Sequence, residues 1–277
     1  MIDVHCHLEQ KEFENDLDKV IESCKKTRLK AVITSCANPK DFEKTIGIAS
    51  KYSGFVFPSF GLHPEYIKET KEKEIAEYLE KIKENKDKIV GLGEIGLDFF
   101  WVKEAVWQKK QEEQFAELIR FSKEIKKPLV VHSRDSHERT IRILEQEDAK
   151  QVLLHMFGGK EFLQQIIANN WLVSVNYLIT RSKTYKKIAR DLPLENICLE
   201  TDAPWNGIQK PLDAVTEKDI VFRKNEKEKI ALIRNDPTTI RLTAEKIAEV
   251  KGTAFETVWK KCADNAESFF GLKDFYK

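Results

Sequence analysis

The sequence predicts an α/β fold of one class, a (β/α)8 or TIM barrel, and three observations lead there. Eight short apolar runs alternate along the chain with longer amphipathic, charged runs, the order of parallel strands each followed by a helix. Runs such as VLL and LVV are apolar at consecutive positions, as strands buried on both faces are. No GxGxxG follows the first run, which argues against an open, doubly wound sheet. The 277 residues, 41% of them hydrophobic, suffice for one large core, so residues 1–277 are read as a single domain.

The elements can be justified in turn. Strand 2–5 (IDVH) opens with Ile2 and Val4, and the amphipathic run 13–26 follows as a helix. Strand 31–36 (AVITSC) precedes helix 41–51, and strand 54–61 (GFVFPSFG) precedes helix 73–86. Strand 88–94 (KIVGLGE) leads to the longest helical pattern, 104–126. Strand 128–133 (PLVVHS) leads to helix 137–146, with Ser136 as its cap and His137 solvated just inside it. Strands 151–155 (QVLLH) and 171–175 (WLVSV) are followed by helices 160–169 and 183–190. The eighth strand, 196–202 (NICLETD), is followed after a break by helices 238–251 and 254–270. That break, 207–234, is charged and shows no clear strand. It reads as a long, partly helical excursion from the last loop, on the face where such loops cover sites. A solvated surface insertion is the plainer reading of the same stretch.

Composition narrows the function. The net charge is +1, so no global basic field marks a nucleic-acid coat, and any such binding is local. Five cysteines are scattered without a CxxC pair, against a zinc ribbon or a disulfide framework. With the first strand starting at residue 2 there is no room for a targeting segment, and a cytoplasmic protein is expected. No apolar run reaches membrane-spanning length.

The unusual polar residues fall where barrel enzymes carry their chemistry, at the carboxyl ends of strands. His5 and His7 end the first strand, His63 the third, Glu94 the fourth, His132 the fifth, His155 the sixth and Asp202 the eighth. His5 and His7, spaced by two in an extended chain, leave on one side. Each residue alone has a plain reading: a core histidine for His155, a helix cap for Glu94. Together they point to a metal centre.

The motifs DVHCHL (3–8), GLHP (61–64), GEIGLDFF (93–100), VVHSRD (130–135), LLHMFGG (153–159), LETDAPW (199–205), RNDP (234–237) and NAESFFGL (265–272) resemble those of the TatD-type deoxyribonucleases, in the metal-dependent amidohydrolase superfamily. The similarity covers nearly the whole chain except 207–233. It implies that His5, His7, Glu94, His132, His155 and Asp202 bind two divalent metal ions, with Mg²⁺, Zn²⁺ or Mn²⁺ all open. Glu94 has two oxygens with which to bridge the His5/His7/Asp202 and His132/His155 sets. Asp202 is expected to take or orient the proton of the attacking water. His63 is expected on the substrate side, with capping of the helix after Pro64 as its alternative. In the family the spacer between ETDAP and an RNEP-like segment is shorter, so the longer spacer here leaves substrate size and direction open.

The resemblance implies a DNA substrate, with trimming of single-stranded ends from the 3′ side, no membrane partner, and a monomer or weak oligomer. Arg134 could clamp a phosphate bidentately or pair with Asp135 or Asp98. Asp98 is expected to fix an imidazole or a loop. Trp101 and Trp205 are candidate stacking residues for bases, whereas Phe157 reads as loop packing. Lys183, Lys186, Lys187 and Arg190 form a basic stripe that reads as a solvated face. A small-molecule amidohydrolase or lactonase, or a deacylase of charged RNA, is the competing reading, since fold and metals do not fix substrate.

Overall fold

The structure is a computed structural model that describes residues 1–275, so the last two residues of the predicted domain lie outside the described residues. Eight parallel strands are arranged in chain order: β1 (Ile2–Cys6), β2 (Ala31–Cys36), β3 (Val56–Phe60), β4 (Gly91–Asp98), β5 (Leu129–Arg134), β6 (Val152–Leu154), β7 (Leu172–Val175) and β8 (Ile197–Leu199). The seam between β1 and β8 is closed by backbone bonds beyond the strands. Asp202 N–H donates to the His5 carbonyl at 2.9 Å and His7 N–H to the Ala203 carbonyl at 2.7 Å. The predicted barrel is the observed fold.

Helices α1 (Leu17–Lys26), α2 (Phe42–Lys51), α3 (Glu72–Glu84), α4 (Ala105–Ile125), α5 (His137–Gln146), α6 (Leu163–Ala168) and α7 (Lys183–Asp191) connect successive strands. α8 (Ile240–Lys251) and α9 (Phe255–Phe269) follow the last strand. The first helix starts later than its apolar pattern suggested, because Lys11–Phe13 forms a separate short 3-10 turn that buries Phe13. The lumen is filled at its lower end by Ile2, Ala31, Phe57, Val130, Leu153 and Cys198, and Phe269, Phe270 and Leu272 at the end of α9 pack beneath them. Among the described residues, no helix is long and apolar enough to cross a membrane.

Two expectations are corrected. β4 does not stop at Glu94 but runs to Asp98, so Glu94 projects from mid-strand. The strand survives the glycines of GEIGLD because they permit close packing of neighbouring chains. Gly96 has φ +141°, and a Cβ there would lie 2.0 Å from the His132 carbonyl oxygen. A Cβ on Gly61 would meet the Glu94 carbonyl at 2.4 Å. The Gly96→Ala protein is therefore expected to lose more than about 3 kcal/mol. Its melting temperature should fall by at least about 6 °C in a thermal-unfolding scan.

The second correction concerns the excursion, which is not partly helical apart from a single 3-10 turn. It forms a three-stranded antiparallel sheet of β9 (Ile208–Pro211), β10 (Val221–Asn225) and β11 (Ile230–Ile233), with β11 in the middle. The strand signal was masked because its alternation is short and its outer residues are charged. Ala231 and Ile233 are buried, while Arg223 and Lys224 are exposed. Both ends are fastened to the barrel. Asn235 N–H donates to the Pro204 carbonyl at 3.1 Å, and the Asn235 amide donates to the Thr201 carbonyl at 2.8 Å. Arg234 makes a two-pronged pair with Asp16, 2.7 Å on each side, and Asp236 caps the next 3-10 turn through Thr238 N–H. RNDP thus fastens the end of the excursion to the barrel.

Candidate metal centre

Two-residue alternation raises a polar layer above the apolar lumen. His132, His155 and Glu200 come two residues after Val130, Leu153 and Cys198, on the same side of the chain. At the end of β1 the Nε2 atoms of His5 and His7 lie 3.2 Å apart. Asp202 has a left-handed backbone, φ 57°, which aspartate tolerates. Its carboxylate faces the histidines, with Oδ1 3.3 Å from His7 Nε2 and 3.8 and 3.9 Å from the Nε2 atoms of His5 and His155.

Glu94 occupies the middle. Its Oε2 is 3.3 Å from His5 Nε2 and 3.7 Å from His7 Nε2. Its Oε1 is 2.8 Å from His132 Nδ1, 3.5 Å from His63 Nε2 and 3.8 Å from His155 Nε2. One carboxylate therefore has an oxygen on each side of the cluster. Four sets of donor atoms each lie within 4.8 Å, namely His5/His7/Glu94, His5/His155/Asp202, Glu94/His132/His155 and His63/Asp98/His132, so His155 lies near donors on both sides of the cluster.

Does this donor set fit metal? The remote nitrogens answer. His7 Nδ1 bonds the Ser35 carbonyl at 2.7 Å, His5 Nδ1 the Ser35 hydroxyl at 3.1 Å, and His155 Nδ1 the Glu200 carboxylate at 2.7 Å. His132 Nε2 bonds Asp98 at 2.9 Å. Each ring is thus held through one nitrogen while the other faces the cluster, the arrangement that orients imidazole ligands. Mixed imidazole and carboxylate donors suit divalent transition ions or Mg²⁺. The residues fit the group.

Electrostatics agree. Burial lowers the proton affinity of His155, yet Glu200, Glu94 and Asp202 outweigh it and raise the pKa to about 9. His7 is raised well above its usual value, because bonds to Asp202 and Glu9 outweigh its burial. Burial opposes ionisation of Glu94, but the surrounding histidines hold it well below the usual carboxylate range. The carboxylates call for positive charge at their centre.

In the metal-free protein, the raised pKa of His155 contributes stability that is complete below about pH 6.5 and is lost as pH rises through about 9. Glu200→Gln removes the first of the opposing attractions, so the melting temperature of the variant should vary less over that window. Its metal affinity, measured by calorimetry, should fall about 10–100-fold.

His63 uses both nitrogens. Nδ1 accepts from Glu65 N–H at 3.2 Å, capping the turn after Pro64, while Nε2 faces Glu94. The capping reading is the observed arrangement, and it leaves Nε2 turned to the donor cluster. Burial drives its pKa down to about 3, so the ring is neutral, and with Nδ1 accepting, Nε2 carries the proton. Arg134 pairs with neither Asp135 nor Asp98 among the described residues. Its guanidinium is exposed and lies 3.9 Å from the Phe100 ring centre and 5.5 Å from that of Trp101.

His137 corrects another expectation. It is half-buried rather than solvated, bonded to the Ser133 hydroxyl at 3.0 Å and packed 4.7 Å from the Phe157 ring. Ser136 holds the N-cap position of its helix, but its hydroxyl donates to the Leu97 carbonyl and makes no side-chain cap bond. In the predicted basic stripe, Lys187 and Arg190 are both paired with Asp191.

Sequence reading passed over Glu200, Ser35 and Asn206. Glu200 is fully buried and accepts from both His155 and Ser174. A carboxylate inside the apolar run ICLETD was the available signal. Asn206 donates to Asp202 Oδ2 at 2.5 Å, a contact that no spacing rule announces. Ser35 gave no signal, since its role depends on how β1 and β2 pair.

The donors open into a cavity of about 870 Å³, whose walls include Trp101, Arg134, Tyr185 and Trp205. A family model described as TatD related DNase matches residues 2–271. The chain is 34% identical over 280 aligned positions to the putative deoxyribonuclease TATDN3 of Mus musculus, covering 98% of this chain and 88% of that one. It is 32% identical to the deoxyribonuclease TATDN3 of Homo sapiens, with 98% and 94% covered. The metal-dependent hydrolase YabD of Bacillus subtilis is 26% identical, with 98% and 99% covered. A TatD family hydrolase structure from Entamoeba histolytica is similar at TM-score 0.83 over 97% of each chain and 24% identity, a likeness of fold. With a family match along nearly its whole length, the chain belongs to the TatD related DNase family and is a metal-dependent hydrolase acting on ester bonds.

Proposed function

We propose that the protein cleaves phosphodiester bonds of DNA, trimming single strands from the 3′ end. In this reading His5, His7 and Asp202 hold one divalent cation, His132 and His155 a second, and Glu94 is shared by both. The observation that carries it is the placement of Glu94, with one oxygen toward His5 and His7 and the other toward His132 and His155. Bound cations of the Mg²⁺, Mn²⁺ or Zn²⁺ kind activate water and neutralise phosphoryl charge.

The protein's own groups do the rest. Asp202 is held below the usual carboxylate range, its neighbouring histidines outweighing its burial, so it is ionised and able to accept the proton of the attacking water. His63 presents its Nε2–H to a phosphoryl or leaving oxygen. Arg134, free of a carboxylate, is available to a phosphate, while Trp101 and Trp205 offer faces to unpaired bases. We also read the chain as one domain, since the 207–234 excursion is tied to the barrel at both ends.

The test is hydrolysis of end-labelled single strands by purified protein with Mg²⁺ or Mn²⁺. A ladder shortening from the 3′ end is expected, abolished by EDTA and restored by excess metal. Intact strands, with hydrolysis of a simple lactone or amide instead, would replace this reading with the small-molecule one.

A further inference from the structure

The DNA reading leaves one feature unused, the aromatic face of the inserted sheet. Phe222 and Trp205 are each 41% exposed, although rings of this size are usually covered. Their ring centres are 6.1 Å apart with planes 30° from parallel. Trp205 borders the metal cavity, whereas Phe222 lies outside it.

The register explains why Phe222 points there. Val221 pairs with Ile233 and Arg223 with Leu232, leaving Phe222 as the extra residue of a bulge. Bulges re-aim a side chain and gather beside sites. The bulge sits against the chain leaving the metal centre, for a Cβ on Gly207 would lie 3.6 Å from the Phe222 ring. Arg223 and Lys224 follow Phe222 on the same strand, both exposed. Apolar ring faces beside cations are the two elements that single strands require, stacking for bases and positive charge for phosphates.

We propose that Phe222 is a specificity-determining residue: with Trp205 it forms a stacking platform that continues the substrate path out of the cavity and binds an unpaired base away from the cleaved bond. This rests on the DNA reading above and names the part of the strand that the insertion recognises. A duplex end keeps its bases stacked on each other, so the platform favours single strands.

The test compares wild type with Phe222→Leu and Phe222→Tyr, each loaded with Mn²⁺. Two substrates serve, a labelled single-stranded oligonucleotide and bis(p-nitrophenyl) phosphate, a phosphodiester without nucleobases. Leucine keeps the apolar bulk and removes the ring face. Phe222→Leu should raise KM for the oligonucleotide about 5- to 100-fold with kcat unchanged. Hydrolysis of the small diester should be unaltered, and Phe222→Tyr should behave as wild type. An unchanged KM for the leucine variant would overturn the proposal while leaving the DNA reading intact. So would equal loss on both substrates, which marks a packing role, or failure of tyrosine to restore KM. If wild type hydrolyses the small diester but leaves the oligonucleotide whole, the DNA reading itself falls, and the platform with it.

Discussion

Replacing Glu94 by glutamine is expected to give a folded protein with almost no hydrolytic activity. Both oxygens of the carboxylate face imidazoles, Oε1 toward His132, His63 and His155 and Oε2 toward His5 and His7. An amide has one oxygen, so in either orientation its NH₂ points at ring nitrogens that should face a cation. The negative charge at the centre of the cluster is also lost. Substitution of a group that only orients a ligand costs about 10–100-fold in metal affinity or activity, and Glu94 is a proposed ligand of both ions. Loss on the order of 10³-fold or more in kcat is expected, together with weaker binding of both ions by elemental analysis. Retention of two tightly bound ions would remove Glu94 from its shared position.

The reason Glu94 could be picked from the sequence is topological. In a parallel barrel the carboxyl ends of all strands lie at one rim, so polar residues placed at the ends of six of the eight apolar runs meet there. His5, Glu94, His132, His155 and Asp202 are scattered along the chain but close in space, and chain order alone predicted that. Spacing by two also aimed His5 and His7 to one side, since extended chains alternate. These inferences needed only periodicity.

What stayed hidden depended on contacts between distant segments. Glycines usually weaken strands, and the apolar run visible in the sequence ended at Glu94. In the folded barrel Gly93 and Gly96 allow β5 to approach closely, and β4 continues past the site. The inserted sheet was hidden for another reason. Its three strands are four or five residues long, too short for periodicity to stand out among charges. The Glu200–His155 bond joins residues 45 positions apart, and no local pattern encodes it. The side chains that hold the donors in place were therefore harder to find than the donors.

The Asp202→Asn protein should separate substrate binding from catalysis. Asp202 Oδ2 accepts from the Asn206 amide at 2.5 Å. In the variant the new carbonyl must keep that bond, because two amide donors cannot face each other. The new NH₂ group is then turned to the Oδ1 position, toward the lone pairs of His7, His5 and His155. Asparagine has no basic oxygen there to accept a proton from water, so kcat should fall about 10³–10⁴-fold, within the range that positioned proton transfer supplies. The Glu94/His132/His155 set is untouched, so on the proposed two-cation site about one ion per chain should remain bound in place of two. KM for the oligonucleotide should change little, since Trp205 and Phe222 keep their places. A variant with near-normal kcat would show that another group receives the proton, and His63 would then be the residue to replace next.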